Sequence, residues 1–141
     1  MDLYRSHLEG ADLRGAKLVG AILVKAVLDE STLVDANFDE ADLGSSEMSD
    51  VDASGASFRG TKFDGAGMLD VDLRGADLSR ASVQQTTFQV VLDESTVVRG
   101  LAGTVFGPAS LAEEGGLRVL TAAELEAWLR SRGAEVRVLN P

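Results

Sequence analysis

Apolar residues recur at every fifth position from the start of the chain, at Leu3, Leu8, Leu13, Leu18, Leu23, Leu28, Leu33, Phe38 and Leu43. The series runs on in phase through Met48, Ala53, Phe58, Phe63, Met68, Leu73, Leu78, Val83 and Phe88, giving eighteen consecutive units. From the second unit on, a small or β-branched residue stands two residues before each central position, among them Ala11, Ala16, Ala26, Ser31, Ala41, Thr61, Val71 and Thr86. An α-helix turns about 100° per residue, so a five-residue step smears these leucines around its axis. A flat strand fails as well, because an odd step sends successive leucines to opposite faces. What remains is a short extended piece with two inward side chains followed by a corner, repeated until the chain closes on itself and climbs as a solenoid. Gly10, Gly15, Gly20, Gly55, Gly60, Gly65 and Gly75 all fall two residues after a central position, where a tight turn favours a residue without Cβ.

The units Ala11-Asp12-Leu13-Arg14-Gly15, Ala36-Asn37-Phe38-Asp39-Glu40, Ala41-Asp42-Leu43-Gly44-Ser45 and Ala76-Asp77-Leu78-Ser79-Arg80 resemble the A(D/N)LXX unit of pentapeptide-repeat proteins. The resemblance covers residues 1–104. It implies an all-β solenoid, a right-handed quadrilateral β-helix of about five coils with four units per coil, so that residues 20 apart stack vertically. Asp12, Asp42, Asp52, Asp72 and Asp77 precede central residues and are expected to brace corners through bonds to the backbone.

After Phe88 the phase advances by four instead of five, and the pattern is read as resuming with Leu92, Val97 and Ala102 at the centres. The segment Val91-Leu92-Asp93-Glu94-Ser95-Thr96 repeats Val27-Leu28-Asp29-Glu30-Ser31-Thr32 letter for letter. One residue is therefore missing near Thr86–Gln89, and a bulge or corner distortion is expected there.

Residues 105–141 leave the repeat. Pro108 opens a segment ending at Glu114, before Gly115-Gly116, which reads as a short helix. Thr121-Ala122-Ala123-Glu124 is a capping box, and Leu125, Trp128 and Leu129 form the apolar stripe of a second helix that stops at Gly133. Val136 and Val138 alternate with charges as in a terminal strand. This small α-helical segment is read as a cap on the last coil, with a homodimer contact through the same residues as the competing reading. No comparable segment precedes Leu3, so the first coil is expected to be open, covered by a partner, or continued by a longer chain.

Composition narrows the chemistry. The 23 acidic and 13 basic residues leave a formal charge of −10, which argues against direct binding of nucleic acid or an anionic membrane. There is no Cys and one His, so thiolate nucleophiles, Cys-ligated metals and most triads are excluded, and neither an enzyme nor a cofactor is expected. No run is long and apolar enough for a membrane span, and the chain begins without a basic n-region and apolar h-region, so a cytoplasmic protein is expected. With four units per coil, one face collects Glu9, Asp29, Glu30, Glu47, Asp50 and Asp70 beside His7, with no Lys or Arg among its outward positions. That face is the candidate interaction surface for a protein with a basic groove. Set against it is the plainer reading of a solvated acidic wall. The resemblance implies a specific partner, because some members of the family resemble B-form DNA and occupy type II topoisomerases such as DNA gyrase, protecting them from poisons. The alternative is a rigid interaction scaffold with no topoisomerase role.

Overall fold

The computed structural model describes residues 1–139. Its regular elements are β1 (Glu47–Asp52), β2 (Gly67–Asp72), β3 (Ser82–Leu92), β4 (Ala102–Phe106), β5 (Ser110–Glu113), β6 (Gly116–Val119), α1 (Ala122–Ser131) and β7 (Glu135–Leu139). Single parallel bridges extend the same pairing to the rest of the repeat: Asp2 with Ile22, Ile22 with Asp42, Asp42 with Lys62, and Lys62 with Ser82. Ser82 then pairs with Ala102, and Ala102 with Glu135 of β7. Up to Ala102 each step is 20 residues, four of the five-residue units, and the chain winds as a parallel β-solenoid.

Each corner is a four-residue turn. Ala11 N–H donates to the carbonyl of Leu8 at 3.1 Å, Ala16 to Leu13 at 3.0 Å, and Ser31 to Leu28 at 3.1 Å. The third turn residue takes a positive φ, near 65–70° at Gly15 and Gly20 and 61° at Glu30, which is the geometry that favours glycine. Asp12, Asp42, Asp52, Asp72 and Asp77 each accept a bond from the backbone N–H two residues on, at 2.9–3.2 Å. The corner is thus tied from inside and outside.

The inward residues form a dry ladder. Leu23, Leu28, Leu33, Phe38, Leu43, Met48, Phe58, Phe63, Met68, Leu73 and Leu78 are all fully buried, each contributing roughly 1.5–3 kcal/mol. Phe38 stacks on Phe58 with centroids 5.4 Å apart, and Phe58 meets Phe63 edge-on at 5.2 Å. Small residues two positions earlier let the walls approach. Thr61, Thr86 and Thr96 do more, donating to the carbonyls of Phe38, Phe63 and Leu73 on the level below at 2.7–2.9 Å.

The missing residue near Gln89 produces a bulge. Leu69 pairs with Gln89 and Val71 with Val90, leaving Asp70 as the extra residue on β2. Beyond it the structure departs from the sequence reading. Val97 is 43% exposed and Ala102 is exposed, whereas Thr96, Val98 and Leu101 point inward. The turn after Leu92 starts one residue late, with Thr96 N–H donating to the carbonyl of Asp93 at 3.1 Å, and this extra residue cancels the deletion. Val98 therefore stacks on Leu78, as the Asp77–Val97 bridge requires. A second close fit follows at Gly103, where an added Cβ would lie 2.8 Å from the backbone of Val83.

The segment from Pro108 to Glu114 is not a helix. Ser110–Glu113 pairs parallel with Val91–Leu92 of β3 and antiparallel with Gly116–Val119, turning through Glu114-Gly115. Pairing with β3 places Leu111 above Leu92, a burial that a helix there would forgo. The second expected helix is α1, with the complete capping box at Thr121 and Glu124, and β7 is the strand that follows.

Candidate functional site

The acidic residues on the face centred on Leu28, Met48 and Met68 do not play one role. Asp29 is half-buried, and its Oδ1 accepts the N–H of Ser49 at 2.9 Å, bracing the next level. Glu9 is exposed, 3.1 Å from Nδ1 of His7. Glu47 opens β1 and is exposed, while Glu30, Asp50 and Asp70 are exposed third residues of successive corners with φ of 61°, 55° and 58°. The solenoid therefore brings Glu30, Asp50 and Asp70 into one vertical row along an edge, at the strand spacing of about 4.8 Å. Among the described residues none of Glu30, Glu47, Asp50 and Asp70 has a basic partner within ion-pair distance. Arg5 and Lys25 occupy the corners on the opposite edge of the same face.

Some acids elsewhere are paired with arginine. Asp12 is gripped by Arg14 at 2.8 Å, Asp72 by Arg74 at 2.7 Å, and Glu113 by Arg118 at 2.8 Å. Burial pushes the Asp72 carboxyl up, but the bonds from Arg74 outweigh it and hold the group below the ordinary carboxylate range. Asp93 behaves alike: burial raises it, and bonds from Ser95, Gly75 and Thr96 bring it below the usual value. The Glu30–Asp50–Asp70 row differs from these pairs in having no basic side chain within ion-pair distance among the described residues. Among the described residues no cluster of His, Asp or Glu is arranged to hold a metal ion.

At the far end, Leu125 and Leu129 are buried at 1% and 0% exposure in the same core as the repeat. Trp128 is half-buried under the guanidinium of Arg132. The sequence reading did not anticipate Leu117 and Val119 of β6, which are 61% and 64% exposed on the outer face of the hairpin. The available signal was Gly115-Gly116 between two short apolar runs, a hairpin pattern rather than a helix stop.

Together the five-residue unit, the Asx-braced corners and the twenty-residue register define a repeat solenoid. The sequence matches the pentapeptide repeats, with eight copies, over residues 6–44 and 46–80, and the chain belongs to that family. No curated protein matches it. Among solved structures it is similar to a pentapeptide repeat protein of the Arabidopsis thaliana thylakoid lumen, at 24% identity and a TM-score of 0.41 over 92% of this chain and 81% of that one. It is also similar to QnrB1, a plasmid-mediated fluoroquinolone resistance protein, at 16% identity and a TM-score of 0.38 over 75% and 70%. A third is HetL of the cyanobacterium Nostoc, a pentapeptide repeat protein involved in heterocyst differentiation regulation, at 28% identity and a TM-score of 0.25 over 71% and 60%. Among the described residues no helix is long and apolar enough to cross a membrane.

Proposed function

We propose that the chain is a cytoplasmic, non-enzymatic binding module whose acidic edge docks in the basic groove of a protein partner. The supporting observation is the unneutralised row Glu30, Asp50 and Asp70, flanked by Glu47 and Glu9. Like charges one strand apart cost stability, and a cationic partner offsets that cost. The architecture in this reading is a right-handed square winding of about five coils over residues 1–104, about 25 Å tall at the strand spacing, with residues 105–141 as its cap. Leu125 and Leu129 are consumed by that cap, which disfavours them as a dimer contact.

The most specific partner is a DNA-binding saddle of a type II topoisomerase such as DNA gyrase, which the protein would occupy as a DNA mimic. A charge of −10 on a narrow rod supports this reading, and the small height weighs against it for a single copy. The deciding measurement is gyrase supercoiling with excess protein, with and without a fluoroquinolone. Inhibition or protection that disappears when Glu30, Asp50 and Asp70 are changed together to Lys supports the proposal. No effect on gyrase under either condition removes the topoisomerase, and leaves the scaffold reading to be tested by capture of partners with the same triple variant.

A further inference from the structure

The wall whose inner side carries Leu23, Leu43, Phe63 and Val83 has an outer surface unlike the acidic face beside it. Two columns stand on it. Ile22, Asp42, Lys62 and Ser82 are bridged one above another. Val24, Gly44, Asp64 and Gln84 follow the same register, with Lys25 N–H donating to the carbonyl of Gly44, Ser45 to Asp64 and Gly65 to Gln84 at 2.8–2.9 Å. Glu40 and Arg80 occupy the corner before this wall, and Lys25 the corner after it. In a chain of formal charge −10 the wall is neutral over these four coils, because Lys25, Lys62 and Arg80 balance Glu40, Asp42 and Asp64. Among the described residues none of the six is in an ion pair. Asp64 holds Ser82 and Gln84 of the next coil through Oδ1, at 2.6 and 3.0 Å, and its Oδ2 accepts no bond among the described residues. Ile22 is 44% exposed. The wall is a flank of the winding, so a further coil stacked on either end would leave it open.

The two columns lie to either side of the line of inward residues. A two-fold axis along that line, with a second copy alongside, sets each column against the other at equal height. Ile22 then faces Val24, Lys62 faces Asp64, Ser82 faces Gln84, and Asp42 faces Gly44, which carries no side chain. At the corners Glu40 faces Ser45, with Lys25 of the second copy one level below, and Arg80 faces Gln85. No like charges oppose one another. A two-fold running across the wall instead sets each column against itself inverted. Lys62 then never meets Asp64, and Ile22 meets Ile22 only where Lys25 opposes Lys25. Charge and apolar contact therefore agree on the axis that runs along the winding.

We propose that this wall is an interface for a second copy of the chain, laid side by side with the two windings parallel. Ile22 of each copy is covered by Val24 of the other, and Lys62 pairs with Asp64 of the second copy twice across the contact. Glu30, Asp50 and Asp70 stand one whole wall away, so pairing leaves the proposed docking edge open on both copies. Four coils at about 4.8 Å make a strip only about 20 Å tall. That is well short of the ~800 Å² per partner of a stable complex, so the dimer is weak, with a dissociation constant on the order of 100 µM.

The test is sedimentation equilibrium of the chain from about 10 µM to about 1 mM, with circular dichroism to verify that each variant winds. A concentration-dependent dimer is expected. Ile22→Asp suits the fold, since Asp42 at the same place in the next coil accepts the N–H of Gly44 at 2.9 Å, and it weakens dimerisation at least about tenfold. Lys62→Asp sets carboxylates opposite each other twice and acts likewise. Asp64→Lys, at a place that Arg14 and Arg74 hold in their own units, also blocks pairing by itself. An equimolar mixture of the Lys62→Asp and Asp64→Lys chains restores it, because each lysine then meets a carboxylate. A monomer at every concentration overturns the proposal. So does a dimer that Ile22→Asp and Lys62→Asp leave unchanged, a mixture of wound chains that stays monomeric, or a dimer lost on Leu117→Glu instead. None of these readouts involves a topoisomerase or the acidic row, so the interface and the proposed partner stand or fall separately.

Discussion

Arg132 lies over Trp128, its guanidinium carbon 4.5 Å from the ring centroid, and its Nη1 donates to the carbonyl of Glu94 at 3.2 Å. One side chain thus ties the end of α1 to the late turn that resets the winding. Arg132→Ala is expected to cost about 1 kcal/mol, read by urea unfolding followed through the fluorescence of Trp128, the chain's single tryptophan. An unchanged midpoint would mean that the cap is held by Leu125 and Leu129 alone.

Ser46 is fully buried with no bond to its hydroxyl, whereas Ser31, Thr61, Thr86 and Thr96 at equivalent inward positions all donate to carbonyls. Ser46→Ala should therefore be neutral or stabilise by up to about 1 kcal/mol, while Thr61→Val should cost about 1 kcal/mol. Thermal unfolding of the two variants side by side checks the opposite signs.

Asp50 occupies a positive-φ corner between Glu30 and Asp70. Asp50→Gly removes a backbone penalty and two like-charge neighbours together, so the fold should gain about 1 kcal/mol. The same change should weaken capture by a basic partner. Equal or lower stability in denaturant would contradict the account of this edge.

Asp72 and Asp93 are held below the ordinary carboxylate value of about 3.9. Both therefore bind protons less readily when folded than when unfolded, and their stabilisation is present above that value and lost as pH falls through the lower folded values. Unfolding free energy should decline below about pH 4. Asp93→Asn should lower it at neutral pH and flatten the acid limb, as measured by urea midpoints across the range.

Much of this was legible because the determinants are local. The five-residue period, the Asp before several central residues and the Thr121–Glu124 box each act within a few residues. The failures lie where distant pairing overrides identical local sequence. Val-Leu-Asp-Glu-Ser-Thr makes its turn at Leu28–Ser31 in one copy and at Asp93–Thr96 in the other, because Thr96 is drawn to the carbonyl of Leu73 and Val98 to the level of Leu78. Gly100, with φ of 75° and two residues after Val98, carried the correct phase, and the glycine rule applied to it would have found the inward residue. The hairpin was hidden for the same reason: its first strand exists because β3 offers an edge, which nothing near Pro108 reveals. The acidic row depended on the twenty-residue register, which pairing between distant residues sets.

The extra residue at the Asp93–Thr96 turn has a consequence for how such a rod changes length. Because it returns Val98 to its place above Leu78, the seat of α1 and β7 is the same as on an uninterrupted winding. Duplication of one twenty-residue block below Asp50 would then lift the whole cap like a storey added beneath a roof. Loss or gain of any other number of residues would have to be repaid within the same lap, so lineages of this chain should differ in whole laps or carry paired insertions and deletions.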